Sequence, residues 1–276
     1  MLPQIRCLMQ ASARLGMSTR CVDDEQNLVW VDDRWLFQLN RTPFNTEVMY
    51  RVCRDKAHQY RLLEAAVPMP RTRAYLDPGV SAAYRHYCAY STLDEITADI
   101  QAHFDYPVVV KRNAGALGSN VFLCQSEAAA AAALREIYRA DTPAYDFVAV
   151  AQAFIRATAE FRVVCFDGEP VFAYRRCAGE QAFRARYWEM PEGRPEPVRD
   201  PALLRRLCQP FRPVFQLPGL RFVGLDVALT VAGEAVLLEL NSSPQFRHYI
   251  ERHGEDDVVA MYKTVLSRAR DRVASD

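Results

Sequence analysis

Two carboxylates near the C-terminal end stand at a spacing that can do chemistry. Phe222–Thr230 and Glu234–Asn241 alternate in side-chain character, which predicts an antiparallel hairpin around Val231–Ala232–Gly233. With Ala232–Gly233 as a two-residue turn, Asp226 falls directly opposite Glu239, and Asn241 lies on the same face. Opposed carboxylates in an apolar ribbon repel one another, and a bound divalent cation removes that conflict. Oxygen-only donors suit Mg²⁺ or Mn²⁺, and Mg²⁺ arrives with phosphates and waters. A three-residue turn would put Glu239 on the opposite face, and Ala-Gly is not a preferred two-residue turn pair. From the hairpin alone, a metal site and a surface hairpin with solvated acids stand equal.

The remaining charged candidates lie upstream. Val108–Val109–Val110–Lys111 reads as a strand, followed by a small polar loop, Arg112 to Asn120, and a second strand, Val121–Cys124. A lysine leaving a buried strand supplies charge to an anion, and Gly115, Gly118 and Ser119 let backbone N–H groups approach it. A plain hairpin with a flexible tip is the alternative, although nine residues is long for one. Lys56 sits on a helix expected from about Glu47 to Ala66; taken alone it is a solvated helix lysine. Glu160–Phe166 and Glu169–Arg175, joined at Asp167–Gly168, form a second hairpin with Arg162 and Arg175 on its arms. Taken alone these are exposed strand arginines paired with acids. His248 and His253 are read as ordinary surface or core-edge histidines, and no Ser/His/Asp set is apparent.

Composition narrows the class. Half of the 276 residues are hydrophobic, enough for a sizeable core in one large domain or two to three small ones. Lys+Arg and Asp+Glu each number 34, so nothing argues for nucleic acid or membrane as partner. The eight cysteines are scattered without a C-x-x-C pair, which fits a reducing cytoplasm and neither a zinc site nor a disulfide framework. No apolar run approaches membrane-spanning length and no signal peptide is expected. A cytoplasmic protein is the expectation.

The order of the pieces carries more than any one of them. An Arg54–Asp55–Lys56 helix precedes the Val-Val-Val-Lys111 strand with its Gly loop, then Gln152–Ala153–Phe154–Ile155 and Glu160-x-Arg162. Gly224–Leu225–Asp226–Val227 and Leu238–Glu239–Leu240–Asn241–Ser242–Ser243–Pro244 complete the series. This resembles the ATP-grasp superfamily, in its RimK-like carboxylate–amine ligase branch, over about residues 50–270. The resemblance implies an α+β ATP-grasp fold of two lobes holding ATP between them. It divides the chain into a short N-terminal cap, 1–46, and an ATP-grasp domain, 47–276, with a smaller lobe at about 72–151 and a larger one at about 152–276.

Carried over by position, Lys56 and Lys111 match lysines on the nucleotide phosphates, and Gly115, Gly118 and Ser119 the loop that covers them. Gln152, Ala153, Phe154 and Ile155 match the inter-lobe linker that holds adenine, and Glu160 the carboxylate on the ribose. Arg162 and Arg175 match arginines at the γ-phosphate and acyl phosphate, and Asp226, Glu239 and Asn241 match magnesium ligands. Three departures stand out. Ala153 replaces the usual acid, Arg112 follows Lys111 where proline is common, and Ala178–Tyr187 lacks the family's Asn/Arg/Gly pattern. The cap is short for the family, and completion by a partner subunit, as in a homodimer, is expected.

The implied chemistry is phosphorylation of a carboxylate by ATP with Mg²⁺ or Mn²⁺, then attack by an amine, with release of ADP and phosphate. Substrates would be an amino acid, peptide or protein tail. Arginines of the loop 177–199 (Arg184, Arg186, Arg194), with Gln245, Arg247, His248 and Tyr249, are expected to face the acceptor and to suit an acidic one. A degenerate ATP-binding regulator and an ATP-grasp phosphotransferase are the alternatives.

Overall fold

The computed structural model describes residues 1–115, 118–177 and 193–273. The Arg184 and Arg186 expectations, the Ala178–Tyr187 pattern and the loop tip at 116–117 lie outside the described residues.

The N-terminal region comprises helix α1 (Pro3–Arg14) and a small sheet of β1 (Thr19–Cys21), β2 (Leu28–Val31) and β3 (Trp35–Gln38). The long helix expected over residues 47–66 is two, α2 (Glu47–Val52) and α3 (Lys56–Leu63). Asp55 accepts from the His58 N–H at 2.8 Å and so caps a new helix. That break makes Lys56 the first residue of α3 and points it inward.

A four-stranded antiparallel sheet follows, in the order β4 (Thr72–Leu76), β7 (Val148–Ala153), β5 (Val108–Arg112) and β6 (Val121–Cys124). Helices α4 (Leu93–His103) and α5 (Glu127–Ile137) cover one face, burying Val108, Val110, Ala149 and Ala151 with Ile96, Ile100 and Leu134. Strand alternation therefore turns Val109, Lys111 and Gln152 to the other face.

The second large sheet has five antiparallel strands, in the order β10 (Arg194–Pro197), β9 (Glu169–Cys177), β8 (Ala157–Phe166), β11 (Phe222–Thr230) and β12 (Ala235–Asn241). Strand β10 was expected as loop. Helix α6 (Pro201–Cys208) runs into a 3-10 stretch, Gln209–Gln216, because Pro210 and Pro213 remove helical donors. One face of this sheet buries Phe161, Val163, Val223, Leu225, Val227 and Leu237 under α2, α3 and α6. The other carries Val164, Phe166 and Phe222 into a core shared with α1, β2, β3, α7 (Arg247–His253) and α8 (Asp256–Val273).

Two irregularities set which side chains meet. The turn between β11 and β12 has three residues, not two: the Thr230 N–H donates to the Glu234 carbonyl at 2.9 Å, and Gly233 takes φ +77°. That turn alone would send Glu239 to the wrong face. Leu238 is an extra residue, however. Val227 pairs with Leu237 and Asp226 with Glu239, so the bulge restores the pairing that a two-residue turn predicts. In the other hairpin, Asp167 (φ 49°) and Gly168 (φ 83°) form the expected two-residue turn. There Val171 is extra, and beyond it Arg162 pairs with Tyr174 and Glu160 with Arg176.

Candidate active site

A cleft of about 310 Å³ opens over the face of β8, β9, β11 and β12 that bears Asp226, and its walls include Lys56, Gly115, Gly118, Glu239, Asn241 and His248. Each strand brings its residues there by parity. Glu239, Asp226, Arg162 and Tyr174 are direct cross-strand neighbours in one row, and Glu160 and Arg176 are neighbours in the next. Arg175 pairs with Phe161, a core residue, and is exposed on the opposite parity. The structure therefore brings Arg176, and not Arg175, into the cleft. Without the Val171 bulge the parity would be reversed.

Asp226 is the electrostatic centre. Arg162 donates from Nε to Oδ1 and from Nη2 to Oδ2, both at 2.7 Å, and Arg176 Nη2 donates to the same two oxygens at 2.8 and 2.9 Å. Burial alone would raise the Asp226 carboxyl, but the two guanidinium groups overcome that effect and hold it at about 2. Glu239 meets Lys56 Nζ at 3.5 Å. Asn241 Oδ1 accepts from the Ser243 N–H at 2.9 Å, which sets the turn after β12.

Lys56 is far from the solvated lysine its sequence context alone suggests. Its side chain is 9% exposed, and Nζ donates to the carbonyls of Gly115 (2.9 Å) and Asn113 (3.3 Å). Asn113 Oδ1 in turn accepts from the Ala57 N–H at 2.9 Å, tying the root of the Gly loop to the start of α3. Gln59, buried in α3, accepts from the Leu240 N–H at 2.7 Å and donates to the Leu240 carbonyl at 3.3 Å. The amide thus completes the edge of β12 and holds Lys56 over Glu239.

Lys111 is 7% exposed and donates to Gln152 Oε1 at 2.9 Å, while Gln152 Nε2 donates to Thr72 Oγ1 at 3.0 Å. Desolvation is the largest influence on Lys111 and lowers it to about 8, against the attraction of Glu239, Asp226 and Glu160. Ala153 ends β7, and Phe154 and Ile155 follow on the short connection to β8; all three are half-buried. Gly118 takes φ +61° and Asn120 φ 51°, left-handed positions that bend the loop back from β5 towards β6. Ser119 lies half-buried between them. Cys53 also lines the cleft, but burial pushes its thiol up to about 12, which rules it out as a ready thiolate.

Asp226, Glu239 and Asn241 offer oxygen donors alone, which fit a hard divalent cation. Around them Lys56, Lys111, Arg162 and Arg176 face the carboxylates of Asp226, Glu239 and Glu160, and Arg54 adds a further cation on the cleft wall, so positive charge is in excess among the described residues. Such a site suits a polyphosphate with its cation better than a bare cation. Sequence reasoning missed Arg176, Asn113 and Gln59. Asn113, a polar residue at the root of a Gly loop, carried a readable signal; Arg176 depended on a bulge, and Gln59 on tertiary contact.

A family model, the RimK-like ATP-grasp domain, matches residues 85–264. No curated protein matches the chain. Among solved structures the chain is similar to the ATP-grasp ligase PsnB complexed with minimal precursor, with TM-score 0.52 and 21% identity over 81% of this chain and 63% of that one. It is similar also to D-alanine–D-alanine ligase from Bacillus anthracis complexed with ATP, with TM-score 0.53 and 17% identity over 80% and 68%. A RimK domain ATP-grasp protein from Sphaerobacter thermophilus aligns with TM-score 0.51 and 22% identity over 78% and 68%. At these identities the likeness is one of fold, and the chain spans a little under two thirds of PsnB.

Proposed function

The chain belongs to the RimK-like ATP-grasp family, and on that premise we propose that it is an ATP-dependent carboxylate–amine ligase. The observation that carries this reading is one cleft in which Asp226, Glu239 and Asn241 stand among Lys56, Arg162 and Arg176. Its described residues supply charge and oxygen donors and no activated nucleophile.

Asp226, Glu239 and Asn241 would hold Mg²⁺ or Mn²⁺, which when bound neutralises charge on the phosphates. Lys56 and Lys111 would position a nucleoside triphosphate, with Gly115, Gly118 and Ser119 over its phosphates, Gln152 to Ile155 at its base and Glu160 at its ribose. Arg162 and Arg176 would face the transferring phosphoryl group. Catalysis of this kind is positioning plus electrostatics. A substrate carboxylate attacks the γ-phosphorus and ADP leaves; an amine then attacks the acyl carbon and phosphate leaves. The cleft must exclude water, or the activated acid hydrolyses. His248, Tyr249 and Gln245 line the side of the cleft where the second substrate would enter.

The test is ADP release measured over pairs of amino acids and short peptides, with mass detection of the product. An amide product with stoichiometric ADP is expected, and Glu239→Gln should lower turnover by at least about 10²-fold with an unchanged melting curve. Normal turnover in that variant would overturn the site assignment; a phosphorylated product would replace ligase by phosphotransferase.

A further inference from the structure

The arginine clamp on Asp226 has a consequence for the order in which ligands bind, resting on the reading that the cleft takes a nucleoside triphosphate with a divalent cation. Asp226 is 4% exposed, the deepest of the three oxygen donors. An ionised carboxylate has about four lone-pair sites. Arg162 and Arg176 place four N–H···O contacts on them, at 2.7, 2.7, 2.8 and 2.9 Å. A cation approaching Asp226 in this state meets two positive charges and a filled acceptor. Glu239, the neighbouring donor, has Lys56 at 3.5 Å. Asp226, the innermost donor, is therefore closed to a bare cation, and Lys56 opposes a cation at Glu239.

The two arginines are held differently. Arg162 lies directly across from Asp226 on β8, is 9% exposed, and binds through two parallel N–H groups, the most constrained guanidinium–carboxylate geometry. Arg176 reaches in from β9, one strand further and one row along, and shares a single nitrogen between the two oxygens. Its side chain also lines the cleft in which a polyphosphate would lie. A phosphate offers a guanidinium equal or better pairing than a carboxylate that already has a partner.

We propose that Arg176 is a positioning residue that couples cation binding to nucleotide binding. In the nucleotide-free cleft it closes Asp226. A polyphosphate draws its guanidinium away, and Asp226 then has lone pairs for the cation while Arg162 stays in place. No protonation change or covalent step is involved.

The experiment is a Mn²⁺ titration of the full chain, with free Mn²⁺ read by electron paramagnetic resonance, with and without a non-hydrolysable ATP analogue. Wild type should take up Mn²⁺ tightly only with the analogue, the two affinities differing by a factor in the range of about 5 to 150 typical of coupled sites. Direct phosphate coordination contributes to that factor, so the nucleotide-free arm decides. Arg176→Gln, which keeps hydrogen-bond donors but loses the charge, should tighten nucleotide-free Mn²⁺ binding about tenfold or more. Arg176→Lys should return it towards wild type, and exposed Arg175→Gln should leave it unchanged. Wild-type Mn²⁺ binding that is equally tight without the analogue overturns the proposal. So does an unchanged nucleotide-free affinity in Arg176→Gln when its melting curve matches wild type. Failure of the analogue to bind at all, with or without metal, instead removes the nucleotide reading on which the proposal stands.

Discussion

At the scale of single residues, the site is dominated by charges held out of water. Lys111 is the clearest case, because its burial favours the neutral amine and lowers it to about 8. A lysine lowered in the folded state binds fewer protons than the unfolded chain between about pH 8 and its ordinary value of about 10.5. Stability should therefore rise with pH across that window, and the cost of the buried charge is fully present below pH 8. Lys111→Met should accordingly stabilise the nucleotide-free protein at pH 7, by up to ~3 kcal/mol if packing is kept. Urea unfolding at pH 7 and pH 10 checks this, since the gain should shrink at the higher pH. Nucleotide affinity of the wild type should fall as pH rises through about 8, where Lys111 loses its charge, and calorimetric titration with an ATP analogue would show it.

At the scale of elements, two bulges do what no single residue does. Val171 turns Arg176 to the Asp226 face and Arg175 away from it. Turnover should consequently fall about 10²-fold in Arg176→Ala, the usual effect of losing one charge-stabilising donor, and by less than about threefold in Arg175→Ala. Equal losses in the two variants would contradict the register. The Asp226–Glu239 hairpin relies on the three-residue turn closed by Gly233 at φ +77°, where a Cβ would also collide with the Arg206 guanidinium. Gly233→Ala should destabilise by ~1–2 kcal/mol for the left-handed backbone, read as a shift in the urea midpoint at constant slope.

At the scale of the whole molecule, the N-terminal 46 residues share a core with the C-terminal helices. Ile5, Leu8, Val29, Val31, Phe37 and Phe44 pack with Phe166, Phe222, Phe246 and Leu266. Asn45 ties the same region to β11, donating to the Phe222 carbonyl at 2.6 Å and accepting from the N–H groups of Arg221 (2.8 Å) and Phe222 (2.9 Å). A chain beginning at residue 47 should therefore lose its cooperative melting transition by near-UV circular dichroism, as several fully buried aromatics would open to water. Among the described residues no helix is long and apolar enough to cross a membrane.

The local order of the chain determined much of this. Strand alternation and the Asp167–Gly168 turn follow from residue type and near spacing, which left the register of Asp226 against Glu239 open; the resemblance carried by the series from Lys56 to Pro244 is what implied the ATP-grasp fold and that pairing. The route to that pairing was different: an odd turn and the Leu238 bulge compensate for one another, and neither leaves a mark in the alternation of Ala235–Asn241. Arg176 in place of Arg175 is the same effect without the compensation. Tertiary structure alone decided these registers, since a bulge is chosen by how both faces of a strand pack and not by its own residues. It alone also placed Gln59 on the edge of β12 and buried Lys56 and Lys111, because desolvation comes from neighbours far away along the chain.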